Sequence, residues 1–190
     1  TNRSSVSVRR MMLPLLVVLI AFGLRIMQIE TVIHDHDHGV PHGAGIGIVE
    51  AIQDARWSDL PALSFPTGVR VRNPAAASYL WAVIALFDRS PWSASVVSVL
   101  LNLLGVAALY SLARRVGGRR AGLVAAFLMA TSAWSADNSR RAWMIGQMET
   151  YCTVAAWLIW PAVTERRPRR LLAGLLAVAV FMQTYLTAYG

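Results

Sequence analysis

The stretch VVSVLLNLLGVAALYSLARRVGGRRAGLVAAFLMATSAW, residues 96–134, contains two apolar runs separated by a short arginine-rich segment. The runs cover residues 96–113 and 121–134, and with flanking residues each approaches the ~20 residues that an α-helix needs to cross a bilayer. RRVGGRR, residues 114–120, places four arginines between them. Because arginine is enriched in cytoplasmic loops, this stretch predicts a membrane-embedded helical hairpin whose turn lies in the cytoplasm.

The composition also indicates an integral membrane protein. Hydrophobic residues make up 56% of the 190-residue chain, and the mean hydropathy is +0.48. The net charge of +8 is carried by arginines that stand in pairs beside apolar runs, a pattern that favours a membrane topology over a nucleic-acid-binding surface. The chain contains no lysine, which excludes lysine amine chemistry, and its one cysteine, Cys152, excludes an internal disulfide.

The arginines also decide how many apolar runs cross the membrane. If every run crossed, RRVGGRR and ERRPRR (165–170) would lie outside the cell. The run at residues 74–87 has only 14 residues, which suits an interfacial helix better than a span. Without it, cytoplasmic segments hold 11 arginines and one acid, whereas external segments hold six arginines and eight acids. We therefore predict an all-α integral membrane protein with a cytoplasmic amino terminus and about five spans, at residues 11–29, about 92–113, about 120–136, 143–161 and 171–189.

The domain organisation follows from this topology. We expect residues 1–190 to form a single transmembrane domain that is part of a larger multi-span protein. Residues 30–91 are predicted to form the first outer loop, with interfacial helices in it. Within this loop, GIGIVEAIQDARW (45–57) has apolar residues at roughly helical spacing and charged residues opposite, which predicts a short amphipathic helix. Arg25, near the outer end of the first span, is expected to snorkel toward the membrane surface.

HDHDHGVPHG, residues 34–43, brings all four histidines and two aspartates together directly after the first span. In an extended chain, Asp35 and Asp37 would project to one side and the histidines of HDHDH to the other. Such an array has three interpretations: a carboxylate that acts as a general base, a divalent metal site, or a solvated loop. The histidines that would bind the metal are His34, His36 and His38.

SADNSRRAWMIGQMETY, residues 135–151, runs from an outer loop into the fourth span. Arg140, Trp143 and Gln147 have the spacing of one helix face, which would place a guanidinium at the membrane surface and an amide deeper. A phosphate headgroup would find a bidentate partner there, although the arginines could equally anchor the helix end in lipid. Glu149 is predicted about two turns inside the span, where an ionisable group is functional by default unless it is neutral and hydrogen-bonded.

VRVRNPAAASYL, residues 69–80, combines two arginines, Arg70 and Arg72, with an Asn-Pro helix start. The Pro would occupy the first turn of the short interfacial helix. The arginines would contact either an anionic lipid or the bilayer surface in general.

The order of these pieces resembles the membrane glycosyltransferases of the GT-C superfamily. The pieces are a first span, an outer loop with an Asp-containing motif, an amphipathic segment, NP with a short helix, SPW, YSLARRVGGRRAG and SAWSADNSRRAW. The likeness covers residues 9–189 and is to the amino-terminal part of bacterial proteins similar to glycosyltransferase family 39, the protein-mannosyltransferase and aminoarabinose-transferase relatives. This chain departs from that family in having DHDHG in place of Asp-Glu, and in having Ala75 where a second proline often follows NP.

The resemblance implies an inverting transfer of a sugar from a polyprenyl-phosphate donor to an unidentified acceptor on the outer face of the bacterial plasma (inner) membrane. It implies that an aspartate at the start of the first outer loop is the catalytic base, with Asp37 as first choice and Asp35 as second. Cationic groups, or a divalent metal as the only cofactor, would stabilise the leaving phosphate. The residues expected to bind the lipid phosphate are Arg140, Arg72, Gln147, Glu149 and Asp137.

Two other functions fit parts of the pattern. A metal-binding membrane protein or transporter component would capture its ion with the HDHDH loop, and the histidines would then dominate metal affinity. A noncatalytic scaffold subunit would retain transfer activity when both aspartates are replaced.

Overall fold

The computed structural model describes residues 3–27, 29, 36–66, 72–141 and 145–184. Seven helices are present in this part of the chain: α1 (Arg3–Ile26), α2 (His36–Gln53), α3 (Ala76–Ala85), α4 (Pro91–Thr131), α5 (Ala133–Arg140), α6 (Met148–Thr164) and α7 (Pro168–Met182). Two short strands, β1 (Leu63–Pro66) and β2 (Arg72–Pro74), pair antiparallel, and 3-10 turns lie at Trp57–Asp59 and Ile145–Gln147. The predominantly helical prediction is confirmed, but this small sheet was not predicted.

α4 is a hairpin of two helices. Gly118 interrupts it with φ +80° and ψ −178°, a backbone conformation that glycine adopts at little cost. The two halves then touch closely, since a Cβ on Gly122 would lie 2.8 Å from the carbonyl oxygen of Tyr110. The hairpin predicted from RRVGGRR is therefore present, with its reversal inside that segment.

The helical bundle forms around this hairpin. α1 packs against α4 through a core of small and medium side chains: Val17, Ala21, Val106, Ala126, Met129 and Ala130. α6 approaches α4 where Gly105 meets Thr150, and α7 packs on α6 where Gly174 meets Ile159. Small residues at helix contacts are typical of membrane bundles, because they let backbones approach closely.

The outer surface of the bundle is apolar. Exposed large hydrophobic side chains run along its helices, among them Leu15, Leu19, Leu104, Leu128, Val163, Leu172 and Leu176. Within the described residues, α4 is the one helix both long and apolar enough to cross a membrane by length and composition, and Met12–Ile26 of α1 is a shorter apolar stretch. The structure thus supports membrane association, while five spans stay a prediction.

α2, the strands and α3 form a separate layer, which we call the outer-loop module. Here Gly45 touches the backbone of Trp81 so closely that a Cβ would lie 2.6 Å from its carbonyl carbon. The hydroxyls of Ser64 and Ser78 are hydrogen-bonded to each other. Trp81 is fully buried and packs with Ala94 of α4, which fixes the module at the Pro91 end of the hairpin.

Three predictions about this module require correction. Pro74, expected in the first turn of the short helix, instead ends β2, and α3 begins after it at Ala76. The helix predicted at residues 45–57 instead runs from His36 to Gln53, so His36, Asp37 and His38 are helical. The extended arrangement with aspartates on one side and histidines on the other is therefore wrong for these three residues, because successive helical side chains are about 100° apart. The glycine-rich sequence favoured a loop, but packing of α2 against α3 stabilises the helix.

Candidate active site

Arg25 is the central residue of a buried polar cluster where α1, α4, α5 and α6 meet. Its side chain is 0% exposed, so the prediction that it snorkels to the surface is wrong. Each of its guanidinium N–H groups is matched by an oxygen. Those acceptors are Asn102 Oδ1 (2.7 Å), Ala130 O (2.8 Å), Ser135 Oγ (3.0 Å), Ala21 O (3.1 Å) and Met129 O (3.1 Å).

These contacts explain why the cation is tolerated in the bundle. The carbonyls of Met129 and Ala130 belong to the last turn of α4, where helical carbonyls have no partner within their own helix. A cation there also meets the negative end of the helix dipole. Asn102 and Ser135 add acceptors from the first half of α4 and from α5. Arg25 therefore joins three helices at one end of the bundle.

Arg140 reaches the same place from α5. Its Nη2 donates to the carbonyl oxygen of Leu24 at 2.6 Å. Glu149 and Arg140 both lie close enough to Arg25 to interact with its charge. The two arginines are thus bound to the same end of α1, beside one carboxylate.

The path between Arg140 and Gln147 differs from the prediction. DNSRR (137–141) was expected in a loop, but its first four residues form the end of α5, and Arg141 follows in an extended conformation. Gln147 ends a 3-10 turn and Glu149 lies in the first turn of α6, so Arg140 and Gln147 share no continuous helix and Glu149 is not two turns deep. Trp143 lies outside the described residues.

The 3-10 turn that carries Gln147 nevertheless packs back against α5, the helix that contains Arg140. Gly146 contacts the carbonyl oxygen of Asn138 so closely that no larger residue would fit, which places the 3-10 turn against α5. Gln147 is 0% exposed. We call the resulting set the polar junction; its residues are Arg25, Asn102, Ser135, Arg140, Gln147, Glu149 and Thr150.

Several buried atoms of the polar junction have no hydrogen-bond partner among the described residues. They are both amide atoms of Gln147, Glu149 Oε1, Thr150 Oγ1, Asn102 Nδ2 and Arg140 Nε. Burying such groups without partners costs free energy, so they are expected to bind water or a ligand. The set contains both donors and acceptors, which suits a phosphate or a sugar hydroxyl.

Other predicted residues lie apart from the junction. Asp137 is on the exposed side of α5, where its carboxylate pairs with Arg141 at 2.9 Å. His34 and Asp35 lie outside the described residues, as does Arg70, and the side chains of His36, Asp37 and His38 are not described. Among the described residues, no group of three or more His, Cys, Asp or Glu could hold a metal ion.

Arg72 lines a cavity of about 370 Å³ in the outer-loop module, and no junction residue lines it. Arg56 and Asp59 also line it, together with residues of α2. Hydrogen bonds to Asp59 and Asp54 raise the pKa of Arg56, so its charge is already matched by carboxylates. Arg72 is exposed and pairs with no described carboxylate, which leaves it free to meet an anion.

Residues 71–189 match the family of dolichyl-phosphate-mannose-protein mannosyltransferases. The chain belongs to this family. Searches of curated proteins and of solved structures returned no match. Membership in this mannosyltransferase family indicates a membrane glycosyltransferase that takes its sugar from a lipid-linked donor, and it confirms the resemblance to the GT-C superfamily. The matched region includes α3 to α7, and therefore every junction residue except Arg25.

Sequence reasoning for this mannosyltransferase-family chain singled out three of the seven junction residues as site residues, Arg140, Gln147 and Glu149. Ser135 and Thr150 lay within the stretch 135–151 but were given no role. Asn102 was not singled out, although an amide within an apolar helix is a signal of a polar contact between helices. Arg25 was noticed but assigned to the surface. An arginine inside an apolar span must find acceptors elsewhere in the bundle, and that signal could have placed it.

Proposed function

We propose that the protein transfers a sugar from a polyprenyl-phosphate donor to an acceptor hydroxyl, with inversion, at the extracytoplasmic face of a bacterial plasma membrane. The observation that carries this proposal is the polar junction, in which two arginines and an unpartnered amide are held at one end of an apolar bundle. A lipid-linked donor suits that place, because its prenyl chain would stay in hydrocarbon while its phosphate reaches the end of the bundle.

The ends of the bundle support the proposed topology. Arg115 pairs with Glu165 at 2.8 Å, so the two arginine clusters at residues 114–120 and 165–170 meet at one end. Arg25 and Arg140 are at the opposite end of α4, together with the outer-loop module. Because arginines favour the cytoplasm, the first end is proposed to be cytoplasmic, which makes the polar junction extracytoplasmic and the amino terminus cytoplasmic.

The proposed chemistry divides the work between two groups of residues. Asp37, or Asp35 as second choice, would accept the proton of the acceptor hydroxyl as its oxygen bonds to the anomeric carbon. The bond from that carbon to the phosphate oxygen breaks, and the phosphate leaves with the electron pair. Arg140 and Gln147 would stabilise the departing phosphate through donors that have no described partner.

We propose supporting roles for the remaining predicted residues. Glu149 would hold the charge of Arg25, and Asp137 would position Arg141 next to the site. Arg72 would bind a headgroup or an anionic acceptor from its own cavity. His34, His36 and His38 stay candidates for a divalent metal, which would supply further stabilisation of the phosphate.

The topology is tested by cysteine labelling in a Cys152→Ser background. Single cysteines at Val116, Ser58 and Asp137 replace exposed residues, so a soluble maleimide can reach each of them. We expect labelling of Ser58→Cys and Asp137→Cys in intact cells, and of Val116→Cys only after the membrane is permeabilised. If Val116→Cys were labelled in intact cells, or if the other two reacted from different sides, the proposed site would not exist.

The variant Gln147→Leu tests whether the Gln147 amide acts in sugar transfer or only stabilises the fold. The change removes two buried polar atoms without described partners, so the thermal stability of the protein should stay the same or rise. Transfer from the lipid-linked donor should fall about 10- to 100-fold, because a hydrogen bond to a charged phosphate is lost. Gln53→Leu in the outer-loop module is the control and should leave transfer unchanged. A loss of stability together with full activity would contradict the assigned role.

A further inference from the structure

A groove lies between α1 and the two halves of α4, and no residue of the polar junction lines it. Its volume is about 370 Å³. Most of its lining is apolar: Pro14, Leu15, Val18, Val106, Ala107 and Ala126. The polar lining residues are Tyr110 and Arg114, and Arg114 is the first residue of RRVGGRR. The groove therefore combines an apolar wall with a guanidinium at the start of the arginine-rich turn of α4.

The charges around Arg114 are not balanced within the described protein. Glu165, the single acid of the two arginine clusters, already pairs with Arg115 at 2.8 Å and with Arg167 at 2.8 Å. Arg114 is exposed and makes no ion pair with a described residue. The same holds for Arg120, Arg166 and Arg169 at this end of the bundle, and the half-buried Arg170 likewise makes no ion pair with a described residue.

Only an amphiphile with a negative headgroup would satisfy both parts of such a groove. A hydrocarbon chain would cover the small side chains of Ala107 and Ala126, and a phosphate would meet the planar donors of Arg114. Basic pockets between membrane helices on the cytoplasmic side are suited to anionic lipid headgroups for this reason. A zwitterionic lipid would bring its own cation next to the arginines and would be disfavoured.

We propose that this groove is a binding site for an anionic glycerophospholipid of the cytoplasmic leaflet. One acyl chain lies between α1 and α4, and the headgroup phosphate pairs with Arg114 beside the unpaired arginines of the two clusters. The bound lipid stabilises the α4 hairpin against α1. This site is separate from the polar junction and does not depend on the proposed transfer reaction.

The test measures lipid binding to the full chain in detergent by thermal shift and native mass spectrometry. Phosphatidylglycerol should raise the melting temperature and be retained, whereas phosphatidylcholine and inorganic phosphate should not. Arg114→Gln should weaken the apparent affinity about five- to tenfold. Arg120→Gln is the matched control, because it removes the same charge from outside the groove and should have a smaller effect.

Ala107→Phe provides an independent variant that fills the apolar part without changing any charge. It should reduce phosphatidylglycerol binding while the protein remains folded, which also covers the case in which Arg114→Gln fails to fold. Equal losses in Arg114→Gln and Arg120→Gln would show general attraction to the surface and would overturn the proposal. Preferential retention of a polyprenyl phosphate, or stabilisation by inorganic phosphate alone, would overturn it as well.

Discussion

Replacing Asp37 with asparagine in the full-length protein should lower sugar transfer by about 10²- to 10⁴-fold while expression and membrane insertion are unchanged. Asparagine keeps the size of the side chain but cannot accept a proton from the acceptor hydroxyl. Asp37 lies in the first turn of α2, a helix whose later turns pack against α3, so its backbone position is set by the outer-loop module. The measurement is transfer of radiolabelled sugar from a polyprenyl-phosphate donor in isolated membranes.

Matched variants decide between the competing interpretations of HDHDH. Asp54→Asn, in the same loop and engaged in an exposed ion pair with Arg56, is the control and should leave transfer intact. His36→Ala and His38→Ala should reduce transfer less than Asp37→Asn does. If the histidine variants abolished both transfer and binding of a divalent metal, the metal site would replace the base as the explanation. If Asp35→Asn alone abolished transfer, the base would be Asp35.

The α4 hairpin shows what the sequence was able to predict. Arginine clusters and run lengths are local features, and they located both the reversal near Gly118 and the short helix α3. The pairing of Arg115 with Glu165 then brings together two clusters that charge asymmetry alone had assigned to one side. Membrane topology can be predicted from composition, because cytoplasmic loops are enriched in arginine and lysine.

The polar junction shows what the sequence could not predict. The side-chain partners of Arg25 are 77 and 110 residues away, at Asn102 and Ser135. The chain also leaves the helix at Arg141, with no glycine or proline at that point, because the turn at Ile145–Gln147 packs back on Asn138. The prediction that Arg140 and Gln147 share one helix face is therefore wrong. Contacts between residues far apart in the chain depend on tertiary packing, which the spacing of residues along one helix does not predict.

The start of α2 was missed for a related reason. Glycines 39, 43, 45 and 47 lower helix propensity and favoured a loop over these residues. In the folded chain, Gly45 lets α2 approach the backbone of Trp81 at a distance that no other residue would allow. The burial of Ile48 and Val49 against Ala82 and Ala85 then stabilises the helix in spite of its composition.

Arg25→Leu should destabilise the protein by more than about 3 kcal/mol, which is the scale expected when the partners of a buried charge are left unpaired. The change removes five hydrogen bonds and leaves the oxygens of Asn102 and Ser135 in an apolar environment. The last-turn carbonyls of α4 also lose their cap. Thermal unfolding in detergent, followed by circular dichroism, measures the loss.

Arg25→Lys separates the charge from the geometry. An ammonium keeps the positive charge but has three donors in place of five and cannot reproduce the planar fork, so we expect an intermediate stability. Arg89→Gln, which breaks an exposed contact with Glu50, is the control and should change stability by less than about 1 kcal/mol. If Arg25→Leu unfolded at the same temperature as the unaltered protein, Arg25 would not join the helices, and the arrangement of Arg140 and Gln147 around it would need another cause. If it unfolds early, the polar junction is held in place from within the bundle, by a residue outside the matched family region.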